Sequence, residues 1–176
     1  MLEDIDFRQP RGLQRAAVEQ LASCECIRQH RPCLITGPTG TGKSYLACAL
    51  AHKACRAGFR ALYYYVPKLF RQLAQAQAEG SLTRLLKKLS RVELLLVDDW
   101  GLTPLQPDQY HLFLEILDDR QGSGATLITS QYPVDTWHQL VGDPTVGDAI
   151  LDRLVHSAYR LQLTGESMRQ QQAKAT

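Results

Sequence analysis

The sequence has no Cys-x-x-Cys pair: its five cysteines, Cys24, Cys26, Cys33, Cys48 and Cys55, are odd in number and confined to the first third of the 176 residues. That pattern excludes a disulfide framework and the common zinc ligand sets, and predicts reduced thiols. No apolar run approaches the roughly 20 residues that cross a bilayer. The start, Met1-Leu2-Glu3-Asp4, lacks the basic-then-apolar order of a signal peptide. A cytoplasmic protein with no membrane partner is expected. Neither sign of charge dominates, since 20 Lys+Arg stand against 18 Asp+Glu. The whole chain is therefore not a polycation, and only a local basic cluster could hold nucleic acid. Repeats, low-complexity tracts and long linkers are absent, so a single domain over residues 1–176 is expected.

What is present alternates between two periodicities. Leu13, Ala16, Ala17 and Leu21 recur at helical spacing, predicting a helix within residues 11–30 that ends before Pro32. Cys33-Leu34-Ile35-Thr36 predicts a short strand, residues 43–56 a helix closed by Gly58, and residues 61–66 a β-prone aromatic strand. Pro67 opens a further helix of about a dozen residues. Over 82–91, Leu82, Leu85, Leu86 and Leu89 share one face and Arg84, Lys87, Lys88 and Arg91 the other. Leu94-Leu95-Leu96-Val97 is continuously apolar, as a central parallel strand buried on both faces should be. A helix over 106–120, a strand over 125–129, helices near 133–140 and 145–157 and a strand over 159–163 complete the pattern. Such alternation predicts an α/β fold, a parallel sheet flanked by helices.

Gly37-Pro38-Thr39-Gly40-Thr41-Gly42-Lys43-Ser44 is a complete P-loop between the first strand and its helix. The glycines let successive backbone N–H groups converge on phosphate oxygens at the positive end of the following helix. Lys43 supplies a point charge toward the β- and γ-phosphates of ATP, the Ser44 hydroxyl is a ligand for Mg²⁺, and Tyr45 adjoins the site. Asp98, ending the apolar strand, is the second metal residue, and Asp99 the candidate base or water-positioner. Many related ATPases place the longer Glu at that second position. If strand 125–129 is inserted between the P-loop strand and the Asp98 strand, then Thr129, Ser130 and Gln131 lie beside the phosphates.

The segments GPTGTGKS, LLLVDDWGL (94–102), LITSQYP (127–133), GDPTVGDAILDRLVH (142–156) and GESMR (165–169), in this order, resemble the IstB branch of the IstB/DnaC-like AAA+ ATPases. The resemblance covers nearly the whole chain and implies an AAA+ core with a five-stranded parallel sheet and little or no C-terminal lid. It implies further that Thr129 and Ser130 form sensor 1, Ser130 being catalytic. Arg153 takes the place of an arginine finger serving a neighbouring subunit, and Arg169 that of the sensor 2 arginine. A planar, permanently charged, bidentate guanidinium suits both tasks. The family consists of helpers of insertion-sequence transposases and loaders of replicative helicases, and the IstB-like wording implies the former. An N-terminal transposase-contacting region, usual in such helpers, is expected to be missing from these residues.

Lys68, Arg71, Arg84, Lys87, Lys88 and Arg91 lie in a stretch whose only acidic residue is Glu79. The resemblance makes this the DNA-facing segment of a helical assembly, and phosphate contact is its physical reading. The function expected is an ATP-dependent, DNA-binding ATPase that self-assembles on double-stranded DNA and assists a cognate transposase. The alternatives are a helicase loader acting on single strands, a small-molecule kinase, and a non-hydrolysing scaffold. Phe7 is a candidate for stacking on adenine.

Overall fold

Side chains alternate in direction along a strand, and that sorts the leucine run into two cores. In the computed structural model, which describes residues 1–8 and 10–174, Leu94–Asp98 forms β3. Its Leu95 and Val97 face one core and its Leu94 and Leu96 the other. The remaining strands are β1 (Cys33–Thr36), β2 (Ala61–Tyr65), β4 (Ala125–Ser130) and β5 (Tyr159–Gln162). All pairings are parallel, in the order β2-β3-β4-β1-β5. β4 therefore separates β1 from β3, the order on which the placement of Thr129, Ser130 and Gln131 depends. The three inner strands are buried throughout and the two edges only in part.

The first core lies under α4 (Val66–Ala78), α5 (Leu82–Ser90), α6 (Pro107–Arg120), α7 (Trp137–Val141) and α8 (Pro144–Val155). Its centre is aromatic: Trp100 stacks on Phe113 with ring centroids 4.5 Å apart. The second core lies under α1 (Arg15–Ala22), α2 (Glu25–Arg28) and α3 (Lys43–Arg56). The helix expected over 11–30 is thus two helices. The chain reverses at Cys24, which takes a left-handed φ of 60° so that Cys26 and Ile27 can also turn inward. Val66 opens α4 rather than ending β2, because the fixed φ of Pro67 suits a first turn. Beyond β5 a short helix, α9 (Met168–Lys174), folds back toward the loop after β1. Among the described residues no helix is long and apolar enough to cross a membrane.

Candidate nucleotide site

The loop between β1 and α3 takes a backbone geometry that only glycine adopts easily. Gly40 and Gly42 have φ of 84° and 92°, and a Cβ on Gly40 would overlap Ser167. Within the loop, the Pro38 carbonyl accepts from the Lys43 ammonium at 2.9 Å and from the Thr41 hydroxyl at 2.8 Å. Lys43 is 6% exposed, and its burial pulls the pKa down against the opposing pull of Asp99 and Asp98. Thr39 donates to the Gln131 side-chain oxygen at 2.8 Å, so the end of β4 does touch the loop.

Asp98 is the centre of the polar arrangement. One carboxylate oxygen accepts from Ser44 at 2.8 Å and from Thr129, and the other accepts from Tyr63 at 2.8 Å. A hydroxyl and a carboxylate brought together in this way are the hard oxygen donors that Mg²⁺ takes from protein, the rest coming from phosphate and water. These residues fit the ion, and Ser44 and Asp98 are the ones that would hold it. The loop glycines, Lys43 and the start of α3 likewise fit a polyphosphate.

Asp99 follows with a left-handed φ of 64°, and its N–H donates to Thr129 Oγ1 at 3.0 Å. The turn points its carboxylate into a cleft of about 380 Å³ that Lys43, Ser44, Tyr45 and Arg169 also line. Burial and the neighbouring Asp98 raise the Asp99 pKa, with Lys43 and Arg169 opposing. The same cleft therefore gathers the P-loop, the second acidic residue and the expected sensor 2 arginine. α9 is tied to the loop by the Met168 N–H, which donates to the Gly40 carbonyl at 2.9 Å. Tyr45 also shares its hydroxyl with the Met1 backbone.

Not every expected residue arrives. Ser130 is fully buried; its hydroxyl donates to the Trp100 carbonyl at 2.7 Å and accepts from the Tyr132 N–H at 3.1 Å. Successive residues of β4 face opposite sides of the sheet, so Thr129 reaches Asp98 while Ser130 fastens the loop after Asp99. Ser130 does not line the cleft that Asp99 and Lys43 share. The Phe7 ring carries the Arg15 guanidinium 4.4 Å from its centroid and packs against the second core.

Arg153, on α8, pairs with Asp118 of α6 and donates to the Ala149 carbonyl at 3.0 Å. It lines a cavity of about 260 Å³ with Pro32, Arg120 and Thr126, at the amino ends of β1 and β4. The nucleotide cleft lies at the carboxyl ends, so Arg153 does not reach the cleft of its own chain. Lys68 and Arg71 on α4, with Arg84, Lys87 and Lys88 on α5, are all exposed, and none forms an ion pair among the described residues.

Two residues escaped the sequence reading. Tyr63 is hidden among three consecutive tyrosines whose only visible signal is strand propensity. Arg11, buried against Thr41, lies 30 positions from the loop it touches.

A family model described as IstB-like ATP binding protein matches residues 1–176. An insertion sequence ATP-binding protein of Sinorhizobium fredii, y4pL, is 52% identical over 172 residues, spanning 98% of this chain and 70% of that protein. The IS21 ATP-binding protein of Pseudomonas aeruginosa is 34% identical over 168 residues, or 96% of this chain and 63% of that one. Among solved structures, DnaI superposes with a TM-score of 0.77 at 23% identity, covering 93% of this chain and 90% of that chain. At such identity the likeness concerns the fold, which is the expected AAA+ P-loop core.

Proposed function

Because the chain belongs to the family of IstB-like ATP binding proteins, we propose that it is the ATP-hydrolysing helper of an insertion-sequence transposase and assembles on double-stranded DNA. ATPase activity is the foundation of this reading. The observation that carries it is the cleft in which Asp98, tied to Ser44, Thr129 and Tyr63, stands next to Asp99, Lys43 and Arg169.

Magnesium, when bound, neutralises charge on the phosphates. Lys43 and the loop N–H groups hold the triphosphate, Asp98 and Ser44 hold the ion, and Arg169 lies where it can contact the nucleotide from α9. Asp99 orients the attacking water and accepts its proton, a role favoured by its raised pKa. Arg153 completes the site of an adjacent subunit. A head-to-tail contact of that kind, where it does not close, builds a filament or open spiral. Lys68, Arg71, Arg84, Lys87 and Lys88 contact backbone phosphates without regard to sequence.

The test is phosphate release by wild type, Lys43→Ala and Asp99→Asn, alone and with duplex or single-stranded DNA. The reading expects hydrolysis by wild type only, increased by duplex. Stronger stimulation by single strands would favour a helicase loader, and no release from any variant would leave an ATP-gated scaffold.

A further inference from the structure

Arg11 is a buried cation whose hydrogen-bond partners, among the described residues, are all neutral. It is 6% exposed. Its Nη1 donates to the Thr41 carbonyl at 3.2 Å and meets the Met168 sulfur at 3.1 Å, while Nη2 donates to the Asp6 carbonyl at 2.9 Å. Its Nε is buried with no acceptor among the described residues. The other buried arginine, Arg120, offers a contrast: Nε donates to Thr126, Nη1 to the Leu89 and Val92 carbonyls, and Nη2 to that of Ala125. The partners of Arg120 are neutral too, but all three of its guanidinium nitrogens donate, which makes it a satisfied structural rivet. Arg11 is not, and burial draws its pKa down against the nearby Asp6 carboxylate and Tyr45.

A guanidinium desolvated in this manner, with the Asp6 carboxylate nearby but only the Asp6 carbonyl bonded to it, is stabilised by further negative charge. The place where such charge arrives is the other side of the Thr41–Gly42 peptide. That peptide is planar and trans, so drawing the Thr41 carbonyl toward Arg11 aims the Gly42 N–H in the opposite direction, away from Arg11. Gly42 is also the residue whose Cβ would stand 2.8 Å from Arg11 Nη1, and its φ of 92° is what favours glycine there. Through Asp6, Thr41 and Met168, the one side chain joins the N-terminal segment, the phosphate loop and the start of α9, which carries Arg169.

We infer that Arg11 is a positioning residue for nucleotide binding: it orients the Thr41–Gly42 peptide of the phosphate loop and holds a buried positive charge that the polyphosphate compensates. The inference rests on the ATP-binding reading above.

It is tested on the full chain with Arg11→Met and Arg11→Lys, measuring ATP affinity by calorimetry and Tm with and without ATP. For Arg11→Met the expected result is ATP affinity lower by about tenfold, the size of one lost charge-assisted hydrogen bond. Its nucleotide-free Tm is unchanged or raised, because an uncompensated charge is gone, and its ATP-induced rise in Tm is smaller. In hydrolysis the loss falls on KM rather than kcat. Arg11→Lys keeps the charge but not the planar fork, and loses about threefold. A purely structural arginine gives the opposite signature, a lower nucleotide-free Tm with an undiminished ATP-induced rise, and that result overturns the proposal. If the methionine variant does not fold, unchanged ATP affinity in Arg11→Lys overturns it as well. Failure of wild type to bind ATP sinks the nucleotide reading itself, whereas normal binding by wild type and both variants sinks only the role of Arg11.

Discussion

Asp99 sits at a left-handed φ of 64°, part-buried beside Asp98, with Lys43 and Arg169 across the cleft. Its pKa is raised above the ordinary 3.8, first by burial and then by Asp98. A carboxyl raised on folding holds its proton more tightly in the native state. The native state is therefore favoured below the ordinary value, and this contribution is lost as pH rises through the raised one. Above the raised value the ionised Asp99 weakens the nucleotide-free fold. Asparagine keeps the shape and tolerates the left-handed backbone, so Asp99→Asn should raise Tm at pH 7 and change it little near pH 4. The same substitution should lower phosphate release by about a hundredfold. Thermal melts at the two pH values and a steady-state assay check both. The pair Asp98-Asp99 was legible in the sequence because an apolar strand ending in carboxylates beside a P-loop has few other uses. That Thr129 and not Ser130 would reach Asp98 was not legible, since it depends on which face of β4 each residue meets. Tyr63, arriving from β2 on the far carboxylate oxygen, depends on the pairing of Tyr65 with Asp98 across two strands distant in the chain.

Among the elements, α5 shows how amphipathic spacing becomes a surface. Leu89 is buried, Leu82, Leu85 and Leu86 pack against the first core, and Arg84, Lys87 and Lys88 are left outward. Arg120 grips the Leu89 carbonyl at 2.6 Å and so anchors the end of this helix to the sheet. The outward face can therefore be altered without disturbing the core. Lys87→Glu with Lys88→Glu should leave Tm nearly unchanged, weaken duplex binding, and reduce the slope of log affinity against log salt by about two. Equal binding and slope would remove α5 from the DNA-contacting surface. The boundaries of α1 and α2 show the limit of periodicity. Apolar spacing continues through residues 11–30, but burying Cys26 and Ile27 against Leu50 and Leu127 in the second core requires the chain to turn at Cys24.

At the scale of the molecule, the cleft and Arg153 occupy opposite ends of the same parallel sheet. If Arg153 serves a neighbour, one subunit can lack a working cleft while still supplying the arginine. Lys43→Ala and Arg153→Ala should each be inactive alone, and their mixture should recover part of the wild-type hydrolysis because Lys43→Ala subunits donate Arg153 to intact clefts. A mixture as inactive as its components would place Arg153 outside the reaction, as the partner of Asp118 only. Local sequence alone determined the P-loop, the buried strands and the acidic pair, because each rests on steric or periodic demands met within a few residues. The tertiary structure decided which distant side chains meet them: Tyr63 on Asp98, Arg169 in the cleft, Arg11 beneath the loop, Ser130 withdrawn from it, and Arg153 removed to the far end. Those outcomes follow from strand order, strand register and the return of α9, which are set by long-range packing of the whole chain.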